Sequence, residues 1–174
     1  MRAHLIGLLP QEGRDWLRSW VREQPLAEVT HSGYVRGRLE AWYRLGSNLQ
    51  SVYCGRGAVF AAPEPPERLT SFGDRVLPGW HSLLVCGGPT AISWHRDHPH
   101  FEAEAVMINL GDAVFRERDG NIEEGLVFGD GDVVRLDIKV LHMAEQKSAE
   151  RFNFCFRRVK AEYLPSQRPV QAVF

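Results

Sequence analysis

The sequence predicts a mainly β protein of one domain, with helices in its N-terminal part and a double-stranded β-helix (jelly roll) in its second half. Eight short segments after residue 80 are rich in β-forming residues and are separated by glycine-rich turns. Helical periodicity is confined to the residues before that point. Because 174 residues can bury a sizeable core without disulfides, one domain suffices. We therefore expect two packed sheets with helices on one side.

The N-terminal part, 1–80, is predicted to contain two helices and several strands. Residues 11–23 place two tryptophans on one apolar stripe, which is typical of an amphipathic helix. Residues 34–60 carry aromatic and β-branched residues between glycine-containing turns, a pattern that favours strands. A proline-rich break then precedes a second predicted helix near 66–77.

The jelly-roll core is predicted to span 81–159 and to be followed by a tail, 160–174. Turns rich in glycine, aspartate and asparagine separate its strands. The predicted strands are 81–86, 91–96, 103–109, 113–118, 125–128, 132–138, 139–144 and 151–159.

Composition narrows the class of protein. A net charge of −1 argues against binding through a strongly basic surface. The three cysteines form no Cys-x-x-Cys motif, which indicates reduced thiols rather than a disulfide framework or a zinc knot. No apolar stretch is long enough to span a membrane. We expect a cytoplasmic protein without membrane contact, and no feature indicates a protein partner.

A possible metal site is formed by His95, Asp97 and His142. The first two are two residues apart at the end of a predicted strand, so their side chains project from one face. The third lies in a later β segment and could complete a facial triad of two histidines and one carboxylate. This is the ligand set of a non-haem Fe(II) oxygenase, with positions open for a co-substrate and O2. Each histidine could equally be an ordinary core or surface residue.

A rival metal site uses neighbouring residues. His98, His100 and Glu104 partly resemble the first metal motif of the cupins, which share the jelly-roll architecture. The second cupin motif is absent around His142. A cupin-like metal-binding module therefore stays as an alternative.

The segment 151–157 reads as a strand with two different faces. Its three phenylalanines point to one side and can pack on a core. The other side carries Arg151, Asn153, Cys155 and Arg157. Enclosing two guanidinium groups costs free energy unless an anion meets them, and guanidinium forks pair well with carboxylates. A carboxylate-binding strand and an iron site in one small domain suggest a 2-oxoglutarate-dependent dioxygenase.

This strand resembles the C-terminal signature of the AlkB family of Fe(II)/2-oxoglutarate dioxygenases, Arg-x-Asn-x-Thr-x-Arg, with Cys155 in place of the threonine. Residues 93–97 look like the family's iron motif, and 38–43 resemble its substrate-side segment. The likeness covers roughly 34–158. The family's Asn-x-Tyr before the iron histidine is missing, and 83–86 (Leu-Leu-Val-Cys) stands there.

The resemblance implies the cofactors and the roles of the site residues. Fe(II) would be held by the predicted triad, with 2-oxoglutarate and O2 as co-substrates. Arg151 would bind the distal carboxylate of 2-oxoglutarate, and Asn153 and Arg157 would hold its other end near the metal. Decarboxylation to succinate would then be coupled to hydroxylation of a C–H bond.

Two classes of substrate are compatible with the sequence. The resemblance favours oxidative dealkylation of an alkylated nucleobase in single-stranded DNA or RNA. Tyr43, Tyr53 and Trp94 could form an aromatic wall for a flipped base, whereas Trp42 is expected in the core. Hydroxylation of a small metabolite, amino acid or peptide is the alternative. It is favoured by the near-neutral charge and by the absence of further acids directly after Asp97.

Overall fold

The computed structural model describes residues 3–29, 34–47 and 59–165. Within them, two antiparallel sheets face each other as a double-stranded β-helix, and the helices pack outside the larger sheet. This confirms the predicted fold class. No helix in the described ranges is long and apolar enough to cross a membrane.

The helices and strands lie close to their predicted positions. The helices are α1 (Gln11–Arg22) and α2 (Glu67–Val76), and a 3-10 turn spans Ala161–Tyr163. The strands are β1 (His4–Leu8), β2 (Ala27–Glu28), β3 (Leu39–Ser47), β4 (Val59–Ala61), β5 (Ser82–Gly87), β6 (Ile92–His95), β7 (Phe101–Leu110), β8 (Ala113–Asp119), β9 (Ile122–Phe128), β10 (Asp132–Asp137), β11 (Leu141–Gln146) and β12 (Phe152–Val159). All eight strands predicted for the core are present. Strands β1 and β2 were not predicted, because both are short and exposed.

The polar strand identified in the sequence, β12, lies in the middle of the larger sheet. That sheet has the order β1–β10–β7–β12–β5–β3–β2, with β4 added to β3. The smaller sheet has the order β6–β11–β8–β9. The helices cover one face of β12 and the smaller sheet covers the other, so both sets of its side chains are enclosed.

The outer face of β12 packs against the helices, as its alternation predicted. Phe154 and Phe156 are completely buried, and Phe152 is nearly so. Burying a phenylalanine side chain contributes roughly 1.5–3 kcal/mol, so this layer fixes the strand firmly. The helix-side core also includes Leu17, Val21, Leu69 and Trp80.

Candidate active site

The predicted triad comes together between the two sheets. His95 ends β6, and His142 lies directly opposite it on the neighbouring strand β11. Asp97 follows β6, and its Oδ1 is 3.4 Å from His95 Nε2 and 3.5 Å from His142 Nε2. Among the residues that the structure describes, this is the one group of three or more potential ligands that could hold a metal ion.

Both histidines are oriented by backbone carbonyl groups. The Nδ1 atom of His95 is 2.8 Å from the carbonyl oxygen of Ser93, and that of His142 is 2.8 Å from the carbonyl oxygen of Val140. Because a carbonyl can only accept, each Nδ1 donates a proton to it, so Nε2 is the nitrogen that a neutral imidazole would offer to a metal. Metal-binding histidines commonly have this arrangement. The donor set therefore fits a divalent metal.

The Asp97 carboxylate is held in its charged form. Burial alone would raise its pKa, but the Arg157 guanidinium and hydrogen bonds from His142 and His95 outweigh burial and keep the pKa well below its usual value. The Arg157 Nη2 atom lies 2.8 Å from Asp97 Oδ2. Lys139 Nζ also donates to the backbone oxygen of Asp97 at 3.3 Å, which fixes the loop.

A cavity of about 330 Å³ extends from the triad between the sheets. The inner face of the polar strand lines it with Arg151, Asn153, Cys155 and Arg157, as the alternation predicted. Burial raises the pKa of Cys155 to about 11, so this thiol is neutral and acts as a small apolar group.

Arg151 is a buried cation with neutral partners. Its Nε donates to Asn109 Oδ1 at 2.7 Å, and its Nη1 donates to Thr90 Oγ1 at 3.0 Å. Gln146 Oε1 in turn accepts from the Thr90 hydroxyl and amide. Burial lowers the pKa of Arg151 to about 10. Within the described ranges no carboxylate pairs with it, so its charge favours an anion in the cavity.

Arg157 also has unused hydrogen-bonding capacity. Its Nη2 pairs with Asp97, but its buried Nε and Nη1 have no partner among the described residues. Burial would lower its pKa, and the Asp97 carboxylate reverses that effect and raises it. A dicarboxylate beside the metal would satisfy these N–H groups, so the cavity fits 2-oxoglutarate as well as iron.

The substrate-side aromatic residues differ in part from their predicted positions. Trp42, expected in the core, is packed against the core between the sheets and also lines the cavity, where it stacks on Phe101 at 6.4 Å between ring centroids. Tyr43 points to the opposite face of β3, where it is buried against Trp20 and its hydroxyl donates to Gln24 at 2.8 Å. The prediction that Tyr43 forms the cavity wall is therefore wrong. Tyr53 lies outside the described residues.

Trp94 also faces away from the cavity. His142 pairs with His95 while Ala144 pairs with Ile92, so β6 contains one extra residue at this point. This β-bulge turns both Ile92 and His95 inward. The indole of Trp94 instead lies 4.4 Å from the guanidinium of Arg118. The prediction that Trp94 lines the substrate site is therefore wrong, because Trp94 is adjacent to the inward-facing His95 and adjacent strand residues face opposite sides.

The rival cupin-like ligand set is not assembled. Glu104 forms salt bridges with Arg158 at 2.8 Å and Arg135 at 3.2 Å. His100 is buried beside His98, and burial together with His98 lowers its pKa to about 3.

Sequence reasoning missed several residues that line the cavity or hold Arg151 in place. Arg38 and Glu40 pair with each other on its wall. The period-two alternation that was applied to β12 would also have placed these two with Trp42 on one face of β3. No such signal existed for Thr90 or Asn109, whose roles depend on contacts between distant segments.

Comparisons with known proteins support the fold. No family model and no curated protein matches the sequence. The solved structure of OsALKBH1, an AlkB homologue, is similar over 88% of this chain and 95% of that chain, with 14% identity and a TM-score of 0.63. A 2OG-Fe(II) oxygenase family protein from Burkholderia pseudomallei is similar over 90% and 84%, with 12% identity and a TM-score of 0.64. A Pseudomonas putida prolyl-4-hydroxylase is similar over 91% and 93%, with 14% identity and a TM-score of 0.55. The chain thus has the fold of these oxygenases.

Proposed function

We propose that this chain is an Fe(II)/2-oxoglutarate-dependent oxygenase. The observation that carries the proposal is the shared cavity, in which a two-histidine, one-carboxylate triad meets two buried arginines. Arg157 has buried N–H groups without a partner among the described residues, and Arg151 has only neutral partners there. Iron bound by His95, Asp97 and His142 would supply the activation of O2.

The arginines and Asn153 would hold 2-oxoglutarate in one orientation. Arg151 would bind the distal carboxylate, because its other partners are neutral and leave its charge uncompensated. Arg157 and Asn153 would bind the end near the metal, where Arg157 already keeps Asp97 ionised. Charge-assisted hydrogen bonds at both ends would fix the position of the co-substrate.

The overall reaction converts 2-oxoglutarate, O2 and a substrate C–H bond into succinate, CO2 and a C–OH group. The apolar lining, which includes Phe115 stacked on His142, would keep water from the reacting atoms. The triad includes a carboxylate, Asp97, as well as two histidines, and this complete ligand set is compatible with hydroxylation.

We further propose an alkylated nucleobase in DNA or RNA as the substrate. The support is the likeness to OsALKBH1 and the aromatic wall of Trp42 and Phe101 in the cavity, where a planar base could stack. Hydroxylation of an N-methyl group would release formaldehyde and leave the nitrogen with a proton. Hydroxylation of a small molecule or peptide is the second candidate, and the likeness to a prolyl-4-hydroxylase favours it.

Formation of succinate from 2-oxoglutarate tests the proposed class. Wild-type protein with Fe(II) and O2 should form succinate slowly without a substrate, and His142→Ala should not. His4→Ala, an exposed histidine on β1, is the matched control and should behave as wild type. Absence of iron-dependent succinate formation in the wild type would overturn the proposed class.

Formaldehyde release tests the proposed substrate. N-methylated single-stranded oligonucleotides should yield formaldehyde in step with succinate. Their binding should weaken as salt rises, because phosphate contacts release counterions. Succinate formation that free amino acids or peptides stimulate, and oligonucleotides do not, would favour the second candidate.

A further inference from the structure

Besides Arg151 and Arg157, the cavity is lined by the guanidinium group of Arg38. Its position leads to an inference about how 2-oxoglutarate binds, and this inference rests on the proposed function. Between β12 and β3, the strand β5 presents Leu84 and Cys86 to the cavity. Burial raises the pKa of Cys86 to about 12, so this thiol is a weak, neutral donor. A carboxylate above β5 therefore needs its hydrogen bonds from the neighbouring strands.

The register of the sheet puts Arg38 at the same end as Arg151. Asn153 pairs with Cys86 on one side of β5, and Glu40 pairs with Cys86 on the other. Arg151 comes two residues before Asn153, and Arg38 comes two residues before Glu40. Side chains two residues apart share a face, so both arginine side chains enter the cavity from beyond the row of Cys86.

Arg38 is enclosed but incompletely hydrogen bonded. Its side chain and that of Glu40 are each only 13% exposed, and the two are paired. The Nε atom of Arg38 is buried without a partner among the described residues. The positive charge of Arg38 also adds to burial in lowering the pKa of Arg151, which is consistent with the two groups lying near each other.

The charges on the cavity wall are unbalanced at this end. Three enclosed arginines, Arg38, Arg151 and Arg157, line the cavity together with an exposed arginine, Arg96, and two carboxylates, Glu40 and Asp97. Each carboxylate is already paired, Glu40 with Arg38 and Asp97 with Arg157. Arg151 therefore retains its full charge, with a second cation beside it. Arg38, Arg151 and Glu40 together carry one uncompensated positive charge, and one further anion would stabilise them.

We propose that Arg38 is a second cationic contact for the distal carboxylate of 2-oxoglutarate. Glu40 acts as its positioning residue, which holds the guanidinium over Cys86 and, through its own charge, limits the affinity for the incoming carboxylate. Arg38 thereby supplies hydrogen bonds that Leu84 and Cys86 do not.

Calorimetric titration of 2-oxoglutarate tests this role without turnover, with Mn²⁺-loaded protein in the absence of O2. Arg38→Met should weaken 2-oxoglutarate binding by about 10–100-fold, the loss of one charge-assisted contact. Glu40→Gln should strengthen it, because it keeps the hydrogen bond and removes the competing charge. Both variants should leave the affinity for 2-oxopentanoate unchanged, since that compound lacks the distal carboxylate. Arg36→Met, an exposed arginine outside the cavity, is the matched control.

The outcomes separate this inference from the proposed function. If the wild type binds no 2-oxoglutarate, both are wrong. If it binds 2-oxoglutarate and Arg38→Met binds it equally well, the role of Arg38 alone is wrong. If Arg38→Met and Glu40→Gln each weaken the binding of 2-oxoglutarate and of 2-oxopentanoate, the ion pair stabilises the fold and does not contact the distal carboxylate. That result overturns the inference. Thermal unfolding of each variant identifies any loss that comes from misfolding.

Discussion

The Nη2 atom of Arg157 lies 2.8 Å from Oδ2 of Asp97, so one ion pair joins the central strand β12 to the candidate metal site. Each side chain is only 10% exposed. The pair offsets the burial that would otherwise protonate the carboxylate. The same guanidinium group therefore keeps the candidate metal ligand ionised and faces the proposed co-substrate.

Removing this ion pair should make metal binding sensitive to pH. Metal binding requires a deprotonated carboxylate. In the wild type the pKa of Asp97 is far below neutral, so its protonation does not compete with the metal above about pH 5. In Arg157→Gln, burial should raise that pKa, and Mn²⁺ affinity should fall more steeply than in the wild type as the pH decreases from 7 to about 5. Calorimetry that shows the Mn²⁺ affinity falling equally with pH in the wild type and in Arg157→Gln would contradict this.

Trp42 and Tyr43 should respond differently to truncation, because adjacent strand residues face opposite sides. Tyr43→Ala removes a core side chain and should lower the free energy of unfolding by about 3–5 kcal/mol. Trp42→Ala should cost less stability but weaken binding of a planar substrate by about 1–3 kcal/mol, while succinate formation without substrate persists. Urea denaturation and substrate titration measure the two effects. Equal losses of stability would contradict the assigned faces.

Thr90 should hold Arg151 in its binding orientation. Thr90→Val removes the hydroxyl that accepts from Arg151 Nη1 and should reduce the free energy of unfolding by about 1.5–3 kcal/mol, as for a hydrogen bond to a charged group. It should also weaken 2-oxoglutarate binding. Thr90→Ser keeps the hydroxyl and should retain most of the stability and most of the affinity for 2-oxoglutarate. A valine variant with wild-type stability and affinity would contradict the assigned role.

His100 should make the protein less stable in mild acid. Burial, followed by the charge of His98, lowers its pKa from 6.5 to about 3, so the folded state keeps it neutral. The unfolded chain binds a proton below its ordinary pKa, and stability therefore falls as the pH drops from 6.5 toward 3. The wild type should lose about 2 kcal/mol more than His100→Phe between pH 6.5 and 4.5. Urea denaturation at several pH values measures this, and identical slopes would contradict it.

The sequence predicted the parts of the site that depend on local pattern. Alternation within one strand was enough to separate the phenylalanine face of β12 from its arginine face. The spacing of His95 and Asp97 was enough to place them together. The alternation in β12 needs only the strand itself to form, whereas Asp97 lies in the loop after β6 and is also held by Lys139.

The mispredicted residues depend on how strands pair. The faces of Trp42 and Tyr43 are set by the register of β3 against β5, which the sequence of β3 does not contain. Trp94 was misplaced although it is adjacent to His95, so alternation alone puts it on the opposite face. The bulge in β6, which arises from pairing with β11, brings Ile92 inward as well as His95. Alternation along β3 could have placed Arg38 on the same face as Trp42. Its relation to Arg151 could not be predicted, because it depends on β5 lying between the two strands.

Anaerobic titration of Fe(II) and 2-oxoglutarate tests the central claim most directly, because a 2-oxo acid chelated to Fe(II) gives a charge-transfer absorption in the visible range. The account predicts that the band appears only with both ligands, at one equivalent of each, and is lost in Asp97→Ala but kept in Arg36→Met. Wild-type protein that binds neither one equivalent of Fe(II) nor 2-oxoglutarate, and shows no such band, would contradict it.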